Sequence, residues 1–157
     1  MKHIYIFLIL SSFLFSQVKL SVSSVGKFDD KEINPNLSFS YDKVFFKQPN
    51  IKSGIGLEHM IKADSRDLSY TNLSSNSIYI FSRFIYEKKW ASYLRLGITD
   101  LNSDQFTLNG SYIAFGADYK LSKKWYVESG YHMSIVDDKS YNKIIFSIIR
   151  HFDKKDD

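Results

Sequence analysis

Residues 110–133 read Gly-Ser-Tyr-Ile-Ala-Phe-Gly-Ala-Asp-Tyr-Lys-Leu-Ser-Lys-Lys-Trp-Tyr-Val-Glu-Ser-Gly-Tyr-His-Met. In the first half every second residue is mostly apolar, and the residues between are small or polar. The apolar set is Ser111, Ile113, Phe115, Ala117, Tyr119 and Leu121. Residues 125–133 split in the same way. A period of two indicates β-strands, because successive side chains leave a strand on opposite faces. The stretch therefore predicts a hairpin that turns at residues 122–124.

The same alternation continues along the chain and predicts seven connected hairpins. The predicted strands are residues 18–25, 36–46, 51–61, 77–86, 90–99, 110–121, 125–133 and 143–152. Short turns at 47–50, 87–89 and 122–124 alternate with longer loops at 26–35, 62–76, 100–109 and 134–142. Eight strands with this alternation of connections predict an all-β fold, an eight-stranded antiparallel up-and-down transmembrane β-barrel.

The orientation of the two strand faces is the main open question. Tyrosine and tryptophan lie at strand ends and glycines lie on the polar face, which favours an apolar row toward lipid and a charged row in a narrow lumen. Period two is symmetric, however, so a soluble sandwich or lipocalin-like binding barrel remains an alternative. In that alternative the apolar row faces inward: Ile55, Leu57, Ile80, Phe84, Leu94, Leu96, Ile113 and Phe115.

The two ends of the chain differ from the middle. Residues 1–16 combine Lys2 with an apolar block shorter than the roughly 20 residues of a spanning helix, which predicts a signal peptide; an uncleaved anchor helix is the alternative. Residues 17–152 form the predicted barrel and 153–157 a short charged tail. The net charge of +4 is too small to indicate a nucleic-acid partner, and the absence of cysteine excludes disulfides and thiolate chemistry.

The hairpin also resembles a known family. Its residues Gly116, Asp118-Tyr119, Leu121-Ser122, Trp125, Glu128 and Gly130-Tyr131 are similar to the penultimate hairpin of small outer-membrane β-barrel proteins, the OmpA-transmembrane-domain and OmpX-like group. The last strand, with Ile148, Arg150 and Phe152, resembles the aromatic-ended final strand of that group, although five hydrophilic residues follow it here. The resemblance implies an outer membrane of a Gram-negative-type bacterium, with membrane lipids and lipopolysaccharide as partners.

Two groups of side chains are candidate functional residues. By strand parity, an ion network fills the lumen: Lys52, Glu58, Arg83, Arg95, Asp118 and Glu128. Buried charges persist only when they are paired, so the network either simply fills the barrel or forms a gate for ions. Aromatic residues beside the short turns and the end of the last strand predict an interfacial girdle: Tyr86, Trp90, Tyr119, Trp125 and Phe152.

We expect a monomer without cofactor, metal or catalysis, in a structural or surface-interaction role. Loops 26–35, 62–76 and 100–109 carry mixed charge and aromatics, so they either contact a surface partner or are merely solvated. One enzymatic alternative remains, because His132-Met133-Ser134 resembles the His-x-Ser element of lipid A deacylases, with Asp137 or Asp138 as the orienting carboxylate. Parity places His132 in the lumen, whereas attack on a lipid needs an outward site.

Overall fold

In this computed structural model the described residues are 16–28, 31–33, 36–63 and 73–152, with side chains described for 17–22, 36–61 and 73–152. These residues form nine strands: β1 (Ser16–Phe28), β2 (Lys31–Ile33), β3 (Leu37–Gln48), β4 (Ile51–Ala63), β5 (Leu73–Ile85), β6 (Trp90–Asn102), β7 (Thr107–Lys120), β8 (Trp125–Val136) and β9 (Lys139–His151). Within the described residues, no helix has the length and apolar character needed to cross a membrane.

The strands close into a ring. From β3 to β9 each strand pairs antiparallel with the next, and β9 pairs with β1 from Gln17↔His151 to Phe28↔Tyr141. Strands β2 and β3 pair with the same edge of β1 in one common register, so they act as one barrel strand interrupted between Ile33 and Leu37. The result is the predicted eight-stranded up-and-down antiparallel barrel, in which closure leaves no unpaired edge.

The apolar row faces outward. The side chains of Phe115 and Ile80 are 53% and 63% exposed on the outer wall, whereas Arg95 and Glu128 are 1% and 2% exposed in the lumen. Of the eight apolar residues in the alternative arrangement, seven are exposed on the outer wall and Ile113 is half-buried. The soluble barrel with an apolar interior is therefore wrong for this chain.

The two ends of the barrel differ. We call one the turn end; it carries the connections 49–50, 86–89 and 121–124 together with the start of β1 and the end of β9. The opposite end, the loop end, carries the connections 103–106 and 137–138 together with the end of β1, the start of β2, the end of β4 and the start of β5. Both ends of the barrel wall thus meet at the turn end, as an even number of strands requires.

All four predicted long loops are shorter in the structure; β4 runs on to Ala63 and β5 begins at Leu73, within the predicted loop 62–76. Residues 100–109 contain only a four-residue connection, 103–106, and residues 134–142 only the turn Asp137-Asp138. In the predicted loop 26–35, strand β1 runs on to Phe28 and pairs with β2. The strands therefore extend further than predicted at the loop end, and the predicted surface loop 100–109 is mostly strand.

The error has a physical cause: the alternation changes sign at the loop end. We call the band of exposed apolar side chains around the outer wall, which includes Ile80 and Phe115, the apolar belt. Beyond the belt, at the loop end, the outward residues are polar, such as Asp100 and Asn109, while the inward residues Leu101 and Val136 are apolar. A strand that leaves a belt of apolar wall for water needs a polar outer face, so its composition looks like that of a loop. The predicted leader (apart from Ser16), the tail 153–157 and residues 64–72 lie outside the described part of the chain.

Candidate functional site

The centre of the lumen is built around Arg95 on β6. Its Nη2 donates to Oε2 of Glu128 on β8 at 2.5 Å, and its Nη1 lies 3.1 Å from Nε2 of His132. A guanidinium only donates hydrogen bonds, so Nε2 of His132 accepts and its proton sits on Nδ1. The guanidinium also stacks over the Tyr93 ring, 4.0 Å from the ring centroid. Arg95 is thus held by charge, hydrogen bonds and a cation–π contact together.

A directed chain of hydrogen bonds leads from His132 toward the loop end. Nδ1 of His132 lies 2.8 Å from the hydroxyl of Tyr112, which in turn lies 3.2 Å from Oε2 of Glu58. Because Nδ1 carries the proton, it donates to Tyr112, and the hydroxyl then donates to Glu58. Lys143 on β9 donates to the other oxygen of Glu58 at 2.7 Å. Each member of the chain therefore has a defined donor or acceptor role.

Toward the turn end, two further ion pairs continue the network. Lys19 on β1 lies 2.6 Å from Oδ2 of Asp42 and 3.5 Å from Oε2 of Glu128. Tyr79 donates to Oδ1 of Asp42 at 2.7 Å. Lys19 and Asp42 lie on the paired strands β1 and β3, whereas the contacts of Tyr79 with Asp42 and of Lys19 with Glu128 each pass over one intervening strand.

The last ion pair of the network lies beside the turn-end mouth. Nε of Arg83 on β5 lies 2.5 Å from Oδ2 of Asp118 on β7, and its Nη1 donates to Gln17 at 2.7 Å. Arg83 and Asp118 are both buried in the lumen. This pair lies between the central network and the open mouth of the barrel at the turn end.

The buried charges of the described lumen balance. Four cations, Lys19, Arg83, Arg95 and Lys143, face four carboxylates, Asp42, Glu58, Asp118 and Glu128, and all eight are at least 97% buried. Single buried charges are costly in a low-dielectric interior, whereas pairs with additional hydrogen bonds offset much of that cost. Strand parity identified five of these eight residues.

Three charged residues of the network were missed by the sequence analysis: Lys19, Asp42 and Lys143. The first two lie on the polar face of predicted strands, so parity was a sufficient signal for them. Lys143 is the first residue of the predicted strand 143–152, whereas β9 begins at Lys139. Because the strand was predicted to begin too late, Lys143 was not assigned to the lumen face. Conversely, Lys52 is only half-buried and lines the turn-end mouth outside this balanced set.

Glycines on β7 and β8 make room for Tyr93. A Cβ built on Gly130 would collide with the Tyr93 hydroxyl, and one on Gly116 would come within 2.7 Å of the same oxygen. Gly116 and Gly130 are directly paired across the two strands. The absence of side chains there lets the Tyr93 ring lie against β7 and β8, where it stacks with the guanidinium of Arg95, two residues further along β6.

The loop end of the lumen is closed by apolar side chains. Met60, Leu73, Leu101, Val136 and Tyr141 form a buried cluster against which Phe106 and Leu108 pack. The hydroxyl of Tyr141 donates to Sδ of Met60 at 3.1 Å and accepts from Asn36 at 3.0 Å. We call this cluster the apolar plug. The plug lies on the loop-end side of the ion network. Side chains therefore occupy the axis of the barrel from the plug at the loop end to Arg83 near the turn end.

The predicted girdle residues lie at the turn end. Tyr86, Trp90, Trp125 and Phe152 are exposed and Tyr119 is half-buried. The rings of Trp90 and Tyr119 pack with their centroids 4.7 Å apart, and Arg150 lies over both the Trp125 and Phe152 rings at 5.3 Å. Their contact with a membrane interface remains a prediction.

The His132–Ser134 element lies inside the barrel. His132 is 1% exposed and Ser134 5% exposed, so neither side chain reaches the outer wall. The carboxylate nearest to His132 in the described lumen is Glu58, 3.5 Å from Nδ1, whereas Asp137 and Asp138 form the turn after β8. The element therefore faces the lumen, as strand parity predicts, and presents no site on the outer wall. Among the described residues, no group of three or more His, Asp or Glu side chains could hold a metal ion.

The fold is that of small outer-membrane β-barrels. Ail, the attachment invasion locus protein of Yersinia pestis, aligns with a TM-score of 0.61 at 12% identity over 88% of this chain and 97% of its own. Neisserial surface protein A aligns with a TM-score of 0.60 at 12% identity over 88% and 96%. The N-terminal β-barrel domain of Pseudomonas aeruginosa OprF gives 0.58 at 12% identity over 87% and 97%. No protein-family model and no curated protein sequence matches the chain.

Proposed function

We propose that this chain is a non-enzymatic outer-membrane β-barrel with a structural or surface-interaction role and a lumen closed by its own side chains. One observation carries the proposal: the belt of the barrel is apolar on its outer wall and charge-balanced within. Such an arrangement is stable where hydrocarbon surrounds the wall, because the closed sheet satisfies its backbone hydrogen bonds from strand to strand. In water, the same wall would expose a large apolar surface.

The filled axis favours a structural or recognition role over transport. The apolar plug and the ion network block the lumen in series, so opening it would require both to rearrange. Eight-stranded barrels have interiors that side chains fill, in contrast to the aqueous channels of porins with sixteen or more strands. The gate alternative for the ion network is therefore the less favoured of the two.

A surface role would fall to the loop end. Among the side chains described at this end, the exposed carboxylates are Asp100, Asp104, Asp137 and Asp138. Lys139 is the exposed cation described there. A structure of Ail has been solved in complex with the heparin analogue sucrose octasulfate, a polyanion. The carboxylates of the described part of the loop end favour a basic partner surface instead. Segments 26–35 and 62–76 remain candidate contact regions for such a partner. Lipopolysaccharide and membrane lipids would surround the outer wall. The chain would act as a monomer.

Fractionation combined with conductance measurement tests the proposal. The full chain should be extracted from outer-membrane fractions only by detergent, and its gel mobility should change on boiling because the closed barrel unfolds. In planar bilayers the purified protein should show no stable open channel, and lipid A from expressing cells should keep its full set of acyl chains. Recovery in the soluble periplasm would contradict the membrane location, steady conductance the closed lumen, and acyl-chain loss the non-enzymatic role.

A further inference from the structure

The turn-end mouth of the barrel opens into a cavity that the proposed function does not use. The cavity has a volume of about 610 Å³ and lies below the Arg83–Asp118 ion pair, whose two side chains form part of its lining. Its rim is formed by the connections 86–89 and 121–124. Cavities of roughly 300–1,000 Å³ are the size in which proteins bind small ligands. We call this space the turn-end cavity.

The lining of the turn-end cavity is strongly cationic. Besides Arg83, the lysines at positions 52, 88, 89, 120, 123 and 124 line it, whereas Glu87 and Asp118 are its carboxylates. Asp118 is already paired with Arg83. The balance of charge found in the central lumen therefore ends at this ion pair, and a surplus of positive charge surrounds the open space. A concave surface lined by one sign of charge concentrates counter-ions.

A second observation points to a ligand in the same place. His151, near the end of the last strand, lines the cavity and is only 5% exposed, and its ring stacks on Tyr126 with centroids 4.1 Å apart. Its Nε2 is buried and has no hydrogen-bond partner among the described residues. Buried polar atoms normally have partners, so a nitrogen of this kind in a cationic cavity is suited to donate to an acceptor oxygen of a ligand.

We propose that the turn-end cavity binds a phosphorylated anion that carries several negative charges. Tetrahedral phosphate groups accept several hydrogen bonds at once, which suits lysine ammonium groups on two neighbouring turns together with one ring nitrogen. The phosphate comes either from a soluble ligand or from the headgroup of an anionic phospholipid beside the mouth. The chemistry of recognition is the same in both cases.

Titration of the folded full chain in detergent micelles with inorganic tripolyphosphate tests the proposal. We expect saturable binding of one anion per barrel that weakens as NaCl is raised, because exposed charges are screened. Lys123→Gln/Lys124→Gln should weaken binding about tenfold, since hydrogen bonds to charged groups are lost. His151→Phe keeps an aromatic ring beside Tyr126 but removes both ring nitrogens, and it should weaken binding severalfold.

A matched control removes the same charge elsewhere at the turn end. Lys43 lies over the Phe45 ring and Arg150 over the Trp125 ring, and neither lines the cavity. Lys43→Gln/Arg150→Gln should therefore leave the affinity within about twofold of the parent protein, because charges that do not line the cavity act only through screened long-range attraction. Equal weakening by both double variants would show attraction by net charge alone and overturn the site, as would the absence of saturable binding.

A second arm identifies the source of the phosphate. The same titration is repeated in nanodiscs of phosphatidylcholine and in nanodiscs that also contain phosphatidylglycerol. Loss of tripolyphosphate affinity only in the second set would support a lipid headgroup as occupant, and unchanged affinity would support a soluble phosphorylated ligand. Gel mobility before and after boiling verifies that each variant is a folded barrel.

Discussion

Individual side chains of the lumen act as one connected unit. Arg95 contacts Glu128, His132 and Tyr93, and the chain of hydrogen bonds continues through Tyr112 to Glu58. Removing one member of a buried pair leaves an uncompensated charge, which costs about 3–5 kcal/mol. Removing both members restores neutrality, so the two losses should not add.

A double-mutant cycle tests this coupling. Arg95→Met and Glu128→Gln should each lower the free energy of unfolding by about 3–5 kcal/mol, because each leaves a buried charge without its partner. The double variant should lose at least about 1 kcal/mol less than the sum of the two. Urea unfolding of the barrel in lipid vesicles, followed by tryptophan fluorescence, gives the three free energies.

The control for this cycle uses exposed residues at opposite ends of the barrel. Lys88→Gln and Asp100→Asn also remove one cation and one carboxylate, but they lie at the turn end and the loop end. Their effects should add to within about 0.5 kcal/mol. Additive losses at Arg95 and Glu128 as well would mean that the two groups do not interact.

A second residue-level prediction concerns the contact between Gly130 and Tyr93. Gly130→Ala should destabilise the barrel by about 1–3 kcal/mol, because the added Cβ would meet the Tyr93 hydroxyl. That hydroxyl has no hydrogen-bond partner among the described residues, so Tyr93→Phe should cost little. The combination Gly130→Ala/Tyr93→Phe should recover part of the loss in the same unfolding assay. Ser129→Ala, on the outer wall beside it, should be close to neutral.

At the scale of the elements, the residues on the outer face of each strand change in character from the turn end to the loop end. Within the belt their outward residues are apolar, and beyond it their outward residues are polar while apolar residues turn inward to form the plug. The β8–β9 connection shows how tight the loop end is, because only Asp137 and Asp138 lie between the two strands. Both have positive φ, 46° and 62°, as in the type I′ turns that suit the twist of a hairpin.

This turn predicts a stabilising substitution. Asp138→Gly should raise the free energy of unfolding by about 0.5–1 kcal/mol. A residue other than glycine is destabilised by about 1–2 kcal/mol in the left-handed region. Glycine removes this cost, but its larger conformational entropy in the unfolded state offsets part of the gain. Asp138→Val should lower it by at least about 1 kcal/mol, since β-branched residues avoid positive φ. Urea midpoints of the two variants should move in opposite directions; a shift in the same direction would contradict the turn geometry.

At the scale of the whole molecule, the belt of the barrel is inverted relative to a soluble protein. Its charges are enclosed and its large apolar residues cover the wall, among them Leu20, Leu57, Ile80, Leu96 and Phe146. The barrel is further asymmetric along its axis, with an apolar plug and exposed carboxylates at the loop end and a cationic cavity at the turn end. Short turns on the periplasmic side are typical of outer-membrane barrels, which favours the turn end as the periplasmic one.

The inverted wall makes a direct prediction for one residue of the belt. Phe115→Arg should destabilise the barrel in lipid vesicles by about 2–4 kcal/mol, because a charge at mid-wall would face hydrocarbon. Thr107→Arg on the same strand lies at the loop end, where the outward positions are polar, and it should cost less than about 1 kcal/mol. Equal small effects at both positions would indicate that water, and not lipid, surrounds the wall.

The sequence by itself determined the strands and the fold class. Alternation of period two is a local property, so it identified the hairpin 110–133 and the eight-stranded barrel, and parity alone separated Arg95 and Glu128 from Ile80 and Phe115. The same local signal failed at the loop end. There the outward residues are polar and resemble loop residues, so strands β1 and β4 to β9 were predicted too short at that end.

Only the tertiary structure decided which face was inside and which charges met. Parity is symmetric between the two faces, and closure of β1 on β9 is what encloses one of them. The pairing of Arg95 with Glu128, of Lys143 with Glu58 and of Arg83 with Asp118 joins residues at least 33 positions apart. Such contacts depend on the register of every intervening strand, which no local pattern in the sequence specifies.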